Sequence, residues 1–232
     1  MPGQPRSAPF SAVFDMDGVI VDNRAYHFQA WEAFSEAHGL PFDPAYFRDH
    51  LFGRVNRDIL RGLFNKELPK DIARAYAVEK EALYRKFYTD HVKPARGLIH
   101  FLRELRAAGI PTAVATAAPR PNLDLVLDEA ELRSYFDALI DISAVKKGKP
   151  APDLYLKAAE ALGAAPERCI AFEDSHPGIA SALAAGMRVI GITTAHTPDE
   201  LGPVHLVIES FEEISIDRLQ ALLGPGRPQD QP

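Results

Sequence analysis

From Lys93 onward, short apolar runs alternate with amphipathic segments, and this alternation limits the possible folds more than any other feature of the sequence. Apolar runs of strand length occur at 111–115, 138–142, 169–172, 188–192 and 205–208. Helical periodicity marks 97–108, 123–132, 154–162, 179–185 and 211–223. Nearly continuous apolar strands between amphipathic helices are typical of a parallel sheet covered on both faces. We therefore predict a doubly wound α/β core, which also includes an early strand at 12–14.

A second region, residues 24–92, carries helical patterns only. Phe28, Trp31 and Phe34 recur at helical spacing, and Gly39 is placed to end that helix. Because this block follows the first strand, we predict an all-helical cap at 24–92 inserted into a core formed by 10–23 and 93–223. Residues 1–9 and 224–232 are rich in Pro, Gly and polar residues, and we expect a disordered N-terminal and a flexible C-terminal tail.

The composition excludes several classes of protein. The formal net charge of −6 argues against a broad surface for nucleic acid or anionic membranes. No apolar run approaches the length of a membrane-spanning helix, and the first residues lack the apolar segment of a signal peptide. The single cysteine, Cys169, lies in an apolar run and suits a reducing compartment. We expect a monomeric cytoplasmic protein with a small-molecule ligand.

Two aspartates, Asp15 and Asp17, follow the first apolar run, and Gly18 marks the turn after them. Side chains at positions i and i+2 of an extended chain point to the same side, so these carboxylates can converge. Two close negative charges are unfavourable unless one carboxyl keeps its proton or a cation lies between them. Either arrangement is useful chemically, as a nucleophile or as a general acid.

The other predicted strands also end in polar side chains. Thr116 follows the second strand, Lys149 the third, and Glu173 and Asp174 the fourth. Since ligands of open parallel sheets bind beyond the carboxyl ends of the strands, we expect these groups at one edge. Any one of them alone would be typical of a solvated loop. Together they favour phosphoryl transfer, with carboxylate oxygens for Mg²⁺ and an ammonium and a hydroxyl for phosphate.

The segments Asp15-Met16-Asp17-Gly18-Val19, Thr116, Lys149-Pro150 and Phe172-Glu173-Asp174-Ser175 resemble the four motifs of the haloacid dehalogenase superfamily. The N-terminal part is similar to the β-phosphoglucomutase-like phosphatases, which combine a Rossmann-like core with a mobile helical cap. The resemblance implies that Asp15 is the nucleophile and Asp17 the general acid and base. It further implies that Mg²⁺ is held by the Asp15 carboxylate, the Asp17 backbone carbonyl and Asp174, with Glu173 assisting through water.

The same resemblance assigns the remaining site residues. Thr116, the backbone at Ala117, and Lys149 would bind phosphate, and His27, Arg57 and Lys80 would contact the substrate from the cap. Each cap residue has a simpler alternative. His27 could pack within its helix, Arg57 could pair with Asp58 or another acid, and Lys80 could be a solvated residue between Glu79 and Glu81.

From these motifs we expect a Mg²⁺-dependent phosphatase. It would hydrolyse a small phosphorylated metabolite, such as a sugar phosphate, through an aspartyl-phosphate. The retained second carboxylate, Asp17, favours phosphate esters, since a leaving alkoxide needs a proton. The alternative is a phosphomutase of the β-phosphoglucomutase type. Those enzymes carry Ser-Lys-Asn after the second motif, whereas this chain has Ala118-Pro119-Arg120. A non-catalytic binding or regulatory protein is a more remote alternative, because fold alone does not determine function.

Overall fold

A computed structural model describes residues 8–51 and 55–224. These residues form two compact units, one from the chain up to Asp22 and from Lys93 onward, the other from Asn23–Val92. We call them the core unit and the helical unit. The two tails predicted at 1–9 and 224–232 lie almost entirely outside the described residues.

The core unit contains a six-stranded sheet in which every pairing is parallel. Its strands are β1 (Ser11–Phe14), β2 (Thr112–Ala115), β3 (Ala138–Ile140), β4 (Cys169–Glu173), β5 (Arg188–Ile192) and β6 (Leu206–Ile208). Their order across the sheet is β3-β2-β1-β4-β5-β6. The first strand is therefore central, and its carboxyl end lies between the ends of β2 and β4.

Apolar side chains cover both faces of this sheet, as the unbroken apolar strands predicted. Val13 faces a cluster that includes Tyr155 and Ile179 from two helices. Its neighbour Phe14 points to the opposite face, where its ring stacks on Phe172 at a centroid distance of 4.6 Å. The predicted fold class, a doubly wound parallel sheet with a helical cap, is confirmed.

The helices of the chain, in order, are α1 (Arg24–Ala37), α2 (Pro44–His50), α3 (Asn56–Phe64), α4 (Lys70–Tyr88), α5 (Leu98–Ala107), α6 (Arg120–Glu129), α7 (Asp153–Ala161), α8 (His176–Ala184) and α9 (Ile216–Leu222). The predicted final helix at 211–223 is wrong in one respect. A 3₁₀ turn, Phe211–Glu213, precedes α9 and is separated from it by extended residues. Ser210 and Glu213 form a capping box on the turn, and the Ser215 side chain accepts a hydrogen bond from Arg218 N, so α9 starts anew.

The helical unit contains α1 to α4 and has an apolar centre of its own. Trp31, Phe34, Phe47 and Ile59 are buried in it. The spacing of Phe28, Trp31 and Phe34 thus marked the inward face of α1. Gly39, with φ +61°, follows this helix in the left-handed conformation that glycine adopts without strain. Among the described residues, no helix is both long enough and apolar enough to span a membrane.

Candidate active site

The predicted site residues of the core unit come from adjacent strands at one edge of the sheet. Phe14 of β1 is in register with Phe172 of β4, and Asp15 N donates to Phe172 O at 3.0 Å. Asp15 and the pair Glu173–Asp174 therefore follow neighbouring strands at the same level. Carboxylate oxygens of these three residues lie within 4.8 Å of one another, and all three side chains are buried.

Lys149 lies between two of these carboxylates. Its Nζ is 2.8 Å from Asp15 Oδ1 and 2.6 Å from Glu173 Oε1, and the lysine side chain is only 7 % exposed. Burial by itself would lower the pKa of this ammonium, but the two carboxylates outweigh that effect and raise the pKa. Lys149 is therefore a permanent positive charge beside the predicted nucleophile.

Glu173 accepts hydrogen bonds at both of its carboxylate oxygens. Its Oε1 accepts from Lys149 Nζ and, at 2.7 Å, from the Tyr155 hydroxyl. Its Oε2 accepts from Asp174 N at 3.1 Å and from the hydroxyl of Ser175 at 3.1 Å. A buried carboxylate needs such donors to remain charged. Glu173 thus anchors Lys149 and the turn after β4, whereas its predicted contact to a metal through water stays a prediction.

Two glycines lie where a larger side chain would collide with these carboxylates. A Cβ on Gly18 would lie 1.9 Å from Asp174 Oδ2, and a Cβ on Gly178 would lie 1.8 Å from Glu173 Oε1. Gly18 also has φ +83°, which other residues rarely adopt. The turn after Asp17 and the start of α8 therefore approach the acidic groups so closely that no larger residue fits without movement.

The surroundings of Asp15 raise the pKa of its carboxyl group. Burial, partly offset by Lys149, raises the pKa of Asp15 to about 7, and the negative charges of Glu173 and Asp17 contribute to the rise. Asp17 itself is partly exposed. The two aspartates thus have different surroundings, because Asp15 is enclosed beside a cation and Asp17 is partly in reach of solvent.

Oxygen donors of this kind fit Mg²⁺, a hard cation that takes carboxylate ligands in octahedral geometry and keeps several waters. The buried group of Asp15, Glu173 and Asp174 supplies such donors without any nitrogen or sulfur. The cluster therefore offers the donor set that a divalent cation takes, in agreement with the cation that the sequence resemblance implied.

The predicted phosphate-binding residues lie at the end of β2. Thr116 is fully buried, and its Oγ1 accepts a hydrogen bond from Ala118 N at 3.0 Å, which shapes the turn into α6. Ala117 lies between them and is an exposed residue at the carboxyl edge of the sheet. The hydroxyl proton of Thr116 can still be donated, as the predicted role requires.

Two of the predicted cap residues lie together in the helical unit. Lys80 Nζ is 2.8 Å from His27 Nδ1 and 3.0 Å from Glu81 Oε1, and the lysine is only 2 % exposed. The ring of His27 stacks on Tyr84 at a centroid distance of 3.9 Å. The alternative that Lys80 is a solvated helix residue is therefore wrong. Its charge is enclosed by a carboxylate, an imidazole and aromatic rings, including that of Trp31.

Arg57 has a different position. It lies exposed on α3 and forms an ion pair with Glu67, which agrees with the simpler alternative of pairing with Asp58 or another acid. The hydrogen bond to Glu67 lowers the pKa of that carboxyl. Substrate contacts of His27, Arg57 and Lys80 stay predictions.

Sequence reasoning assigned no role to three residues that organise the site, namely Tyr155, Ser175 and Gly178. Tyr155 belongs to the apolar stripe of α7 and looks like an ordinary core residue in the sequence. Ser175 precedes α8, and its side chain accepts from Gly178 N, a capping pattern that the sequence Ser-His-Pro-Gly could have indicated.

The carboxyl edge of this parallel sheet carries buried carboxylates and an enclosed lysine. This arrangement is typical of α/β enzymes that act on anionic substrates. Residues 11–186 match the family model of haloacid dehalogenase-like hydrolases, and the chain belongs to this family. The match confirms the predicted family and the predicted class of enzyme, a haloacid dehalogenase-like phosphoric monoester hydrolase.

Individual relatives cover most of the chain. Hexitol phosphatase A of Escherichia coli is 31 % identical over 89 % of this chain and 93 % of its own length. A β-phosphoglucomutase of Bacillus subtilis is 28 % identical over 78 % of this chain and 82 % of its own length. Among solved structures, a family IA, variant 3 HAD hydrolase from Entamoeba histolytica superposes with a TM-score of 0.87 at 33 % identity. That superposition covers 93 % of this chain and all of the other.

Proposed function

We propose that the protein is a Mg²⁺-dependent phosphatase that hydrolyses a small phosphorylated metabolite, a sugar phosphate or a phosphorylated sugar alcohol, through an aspartyl-phosphate. The observation that carries this proposal is the buried Asp15 carboxylate with Lys149 Nζ 2.8 Å away, beside the further carboxylates of Glu173 and Asp174. The activity named for the Escherichia coli relative, hexitol phosphatase A, supports the class of substrate.

In the first step, an Asp15 carboxylate oxygen attacks phosphorus and the bond from phosphorus to the ester oxygen breaks. Asp17 gives its proton to the departing alkoxide, which leaves as an alcohol. Lys149 neutralises charge on the phosphoryl oxygens, and Thr116 and the backbone at Ala117 donate hydrogen bonds to them. Asp15, Asp174 and the Asp17 carbonyl would hold the cation, which when bound offsets the repulsion between the phosphate and Asp15.

In the second step, water attacks the phosphorus of the aspartyl-phosphate. Asp17, now deprotonated, takes a proton from that water, the bond to the Asp15 oxygen breaks, and inorganic phosphate leaves. Lys149 Nζ, which lies 2.8 Å from Asp15 Oδ1, stabilises the carboxylate that this step regenerates.

Three residues of the helical unit have a proposed role in substrate recognition. We propose that Lys80 and His27, which are 2.8 Å apart, recognise the part of the substrate beyond the phosphate, and that Arg57 contributes after exchanging its Glu67 partner. A cytoplasmic location and a monomeric state are part of the same proposal and stay predictions.

The phosphomutase is the second candidate, and the relative from Bacillus subtilis is the observation that favours it. A mutase must hold a second phosphate while the first is transferred. Arg120 is the cation that this chain offers at the start of α6, and its Nε pairs with Asp124 at 2.9 Å. Because the segment Ala118-Pro119-Arg120 lacks the lysine and asparagine that the mutases carry there, we favour the phosphatase.

The test is ³¹P NMR of the purified protein with Mg²⁺ and a panel of sugar and sugar-alcohol phosphates. The panel includes β-glucose 1-phosphate with a trace of its 1,6-bisphosphate. We expect inorganic phosphate from one or more substrates and none from Asp15→Asn. Conversion of glucose 1-phosphate to glucose 6-phosphate without free phosphate would identify a mutase. Turnover retained in Asp15→Asn would contradict the covalent route.

A further inference from the structure

A buried tyrosine, Tyr155, contacts both partners of the ion pair beside Asp15 and has no role in the steps above. It lies in α7 and is fully buried within the apolar cluster on one face of the sheet. A tyrosine in such a place must find a hydrogen-bond partner for its hydroxyl. Here the partner is the carboxylate of Glu173, within the site itself.

Two different parts of the tyrosine make these contacts. The hydroxyl donates to Glu173 Oε1 at 2.7 Å, the same oxygen that accepts from Lys149 Nζ at 2.6 Å. The ring also faces the lysine, with Nζ 5.3 Å from the ring centroid, which is within the range of a cation–π contact. Tyr155 thus holds the carboxylate through its oxygen and the ammonium through its ring.

The position of the ammonium depends on this arrangement. Lys149 has a flexible stem of four carbons, so its charged end is placed by its contacts more than by its own conformation. Those contacts are Asp15 Oδ1, Glu173 Oε1 and the Tyr155 ring. At Glu173 Oε1, the rigid phenol donates a hydrogen bond beside that of the lysine.

We propose that Tyr155 is a positioning residue whose hydroxyl fixes Glu173 and thereby keeps Lys149 Nζ beside the Asp15 carboxylate. This inference rests on the proposed function, in which Asp15 receives the phosphoryl group and Lys149 neutralises its charge. Tyr155 acts through Glu173 and does not itself touch the reacting atoms. Its loss should therefore reduce the rate of the chemical step more than the binding of substrate.

The test is Tyr155→Phe, which removes the hydroxyl and keeps the ring. We expect kcat to fall about 10-fold, the scale of one hydrogen bond to a charged group, with KM within about twofold of wild type. Tyr135→Phe is the matched control, because it removes a hydroxyl that accepts from Arg103 Nε at 3.3 Å on the surface of the same unit. Its kcat should stay within about twofold.

A double-mutant cycle with Glu173→Gln separates positioning from packing. If Tyr155 acts through Glu173, Tyr155→Phe changes the residual kcat of Glu173→Gln by less than about twofold. A purely structural tyrosine would lower the melting temperature and leave the kcat of folded enzyme unchanged in both backgrounds. Tyr155→Met, a flexible apolar replacement without a donor, serves if the phenylalanine variant does not fold.

Two results would overturn the inference while the proposed function stands. One is a Tyr155→Phe enzyme with wild-type kcat, and the other is an equal fall in kcat with and without Glu173→Gln. If wild type and Tyr135→Phe also fail to release phosphate from any substrate, the proposed function fails first and the inference falls with it.

Discussion

The substitution Gly178→Ala sets two physical effects against each other, and the structure indicates which is larger. Gly178 lies in the first turn of α8. Helix propensity alone favours alanine over glycine by up to about 1 kcal/mol. A Cβ at this position, however, would lie 1.8 Å from Glu173 Oε1 and 2.2 Å from Oε2. The new methyl group would therefore occupy the space of the carboxylate.

The cost follows from how far Glu173 must move. Non-bonded heavy atoms pack best at about 3.5 Å, so the carboxylate has to shift by about 1.5 Å or more. Such a shift breaks its hydrogen bonds from Lys149 at 2.6 Å and Tyr155 at 2.7 Å. Since a hydrogen bond to a charged group is worth about 1.5–3 kcal/mol, the loss of both, less about 1 kcal/mol of helix propensity, gives an expected destabilisation of about 2–5 kcal/mol.

Thermal unfolding followed by circular dichroism measures this effect. For a chain of this size, about 1 kcal/mol corresponds to about 2–4 °C, so the melting temperature should fall by about 4–20 °C. Turnover of a phosphate monoester should fall at least about 10-fold, because Lys149 loses its anchor. The control is Gly62→Ala in α3, where the three atoms nearest to the Cβ all belong to the flexible side chain of Leu51. That variant should stay within about 1 kcal/mol of wild type. A Gly178→Ala protein as stable and as active as wild type would refute the reasoning.

Three further predictions concern the cation, the lysine and the cysteine. Removal of divalent cations with EDTA should stop turnover and Mg²⁺ should restore it, whereas activity indifferent to chelation would contradict the metal assignment. Lys149→Ala should lower kcat on the order of 10²-fold or more, while Lys157→Ala, which removes an exposed partner of Glu160, should have little effect. The Cys169 thiol, whose pKa is raised to about 11 by burial, should react with Ellman's reagent at pH 8 only after unfolding in guanidinium; rapid reaction of the native protein would show that the thiol is accessible.

The fold was predictable because its signals are local. Each strand is a nearly continuous apolar run, and each core helix shows one apolar stripe, so class and layering follow from periodicity. The order of the strands in the sheet and the structure of residues 211–223 were harder to predict from the sequence. The residues across 211–223 have a continuous helical pattern, yet a new helix starts after Ser215. Its side chain accepts one hydrogen bond from Arg218 N, which caps that helix.

The site was predictable to the extent that parallel strands bring their carboxyl ends together. Asp15 and Asp174 meet for that reason, since β1 and β4 are neighbours in register. The role of Glu173 as an anchor for Lys149 was not predictable, because it depends on where the Tyr155 hydroxyl points once α7 has packed. An aromatic residue in an apolar stripe carries no sign in the sequence that its oxygen reaches a carboxylate.

Lys80 illustrates the same limit in the helical unit. A lysine between Glu79 and Glu81 has the pattern of a solvated helix, yet its side chain is buried. What makes the burial possible is a set of partners distant in sequence, His27 and Trp31 on α1, which only the packing of α1 against α4 brings near. The pattern of charges in the sequence indicates that the segment is a helix. Whether one of its charged side chains is buried depends on tertiary contacts.

The central claim, that Asp15 carries the phosphoryl group during turnover, can be tested by rapid acid quench and mass spectrometry. Acid stops the reaction within the first turnovers and preserves an acyl phosphate long enough for proteolysis and peptide analysis. The account predicts a fraction of enzyme heavier by one phosphoryl group, with the added mass on the peptide that contains Asp15, and none in Asp15→Asn. Steady release of inorganic phosphate with no phosphorylated enzyme at any quench time, or with the label on another residue, would contradict it.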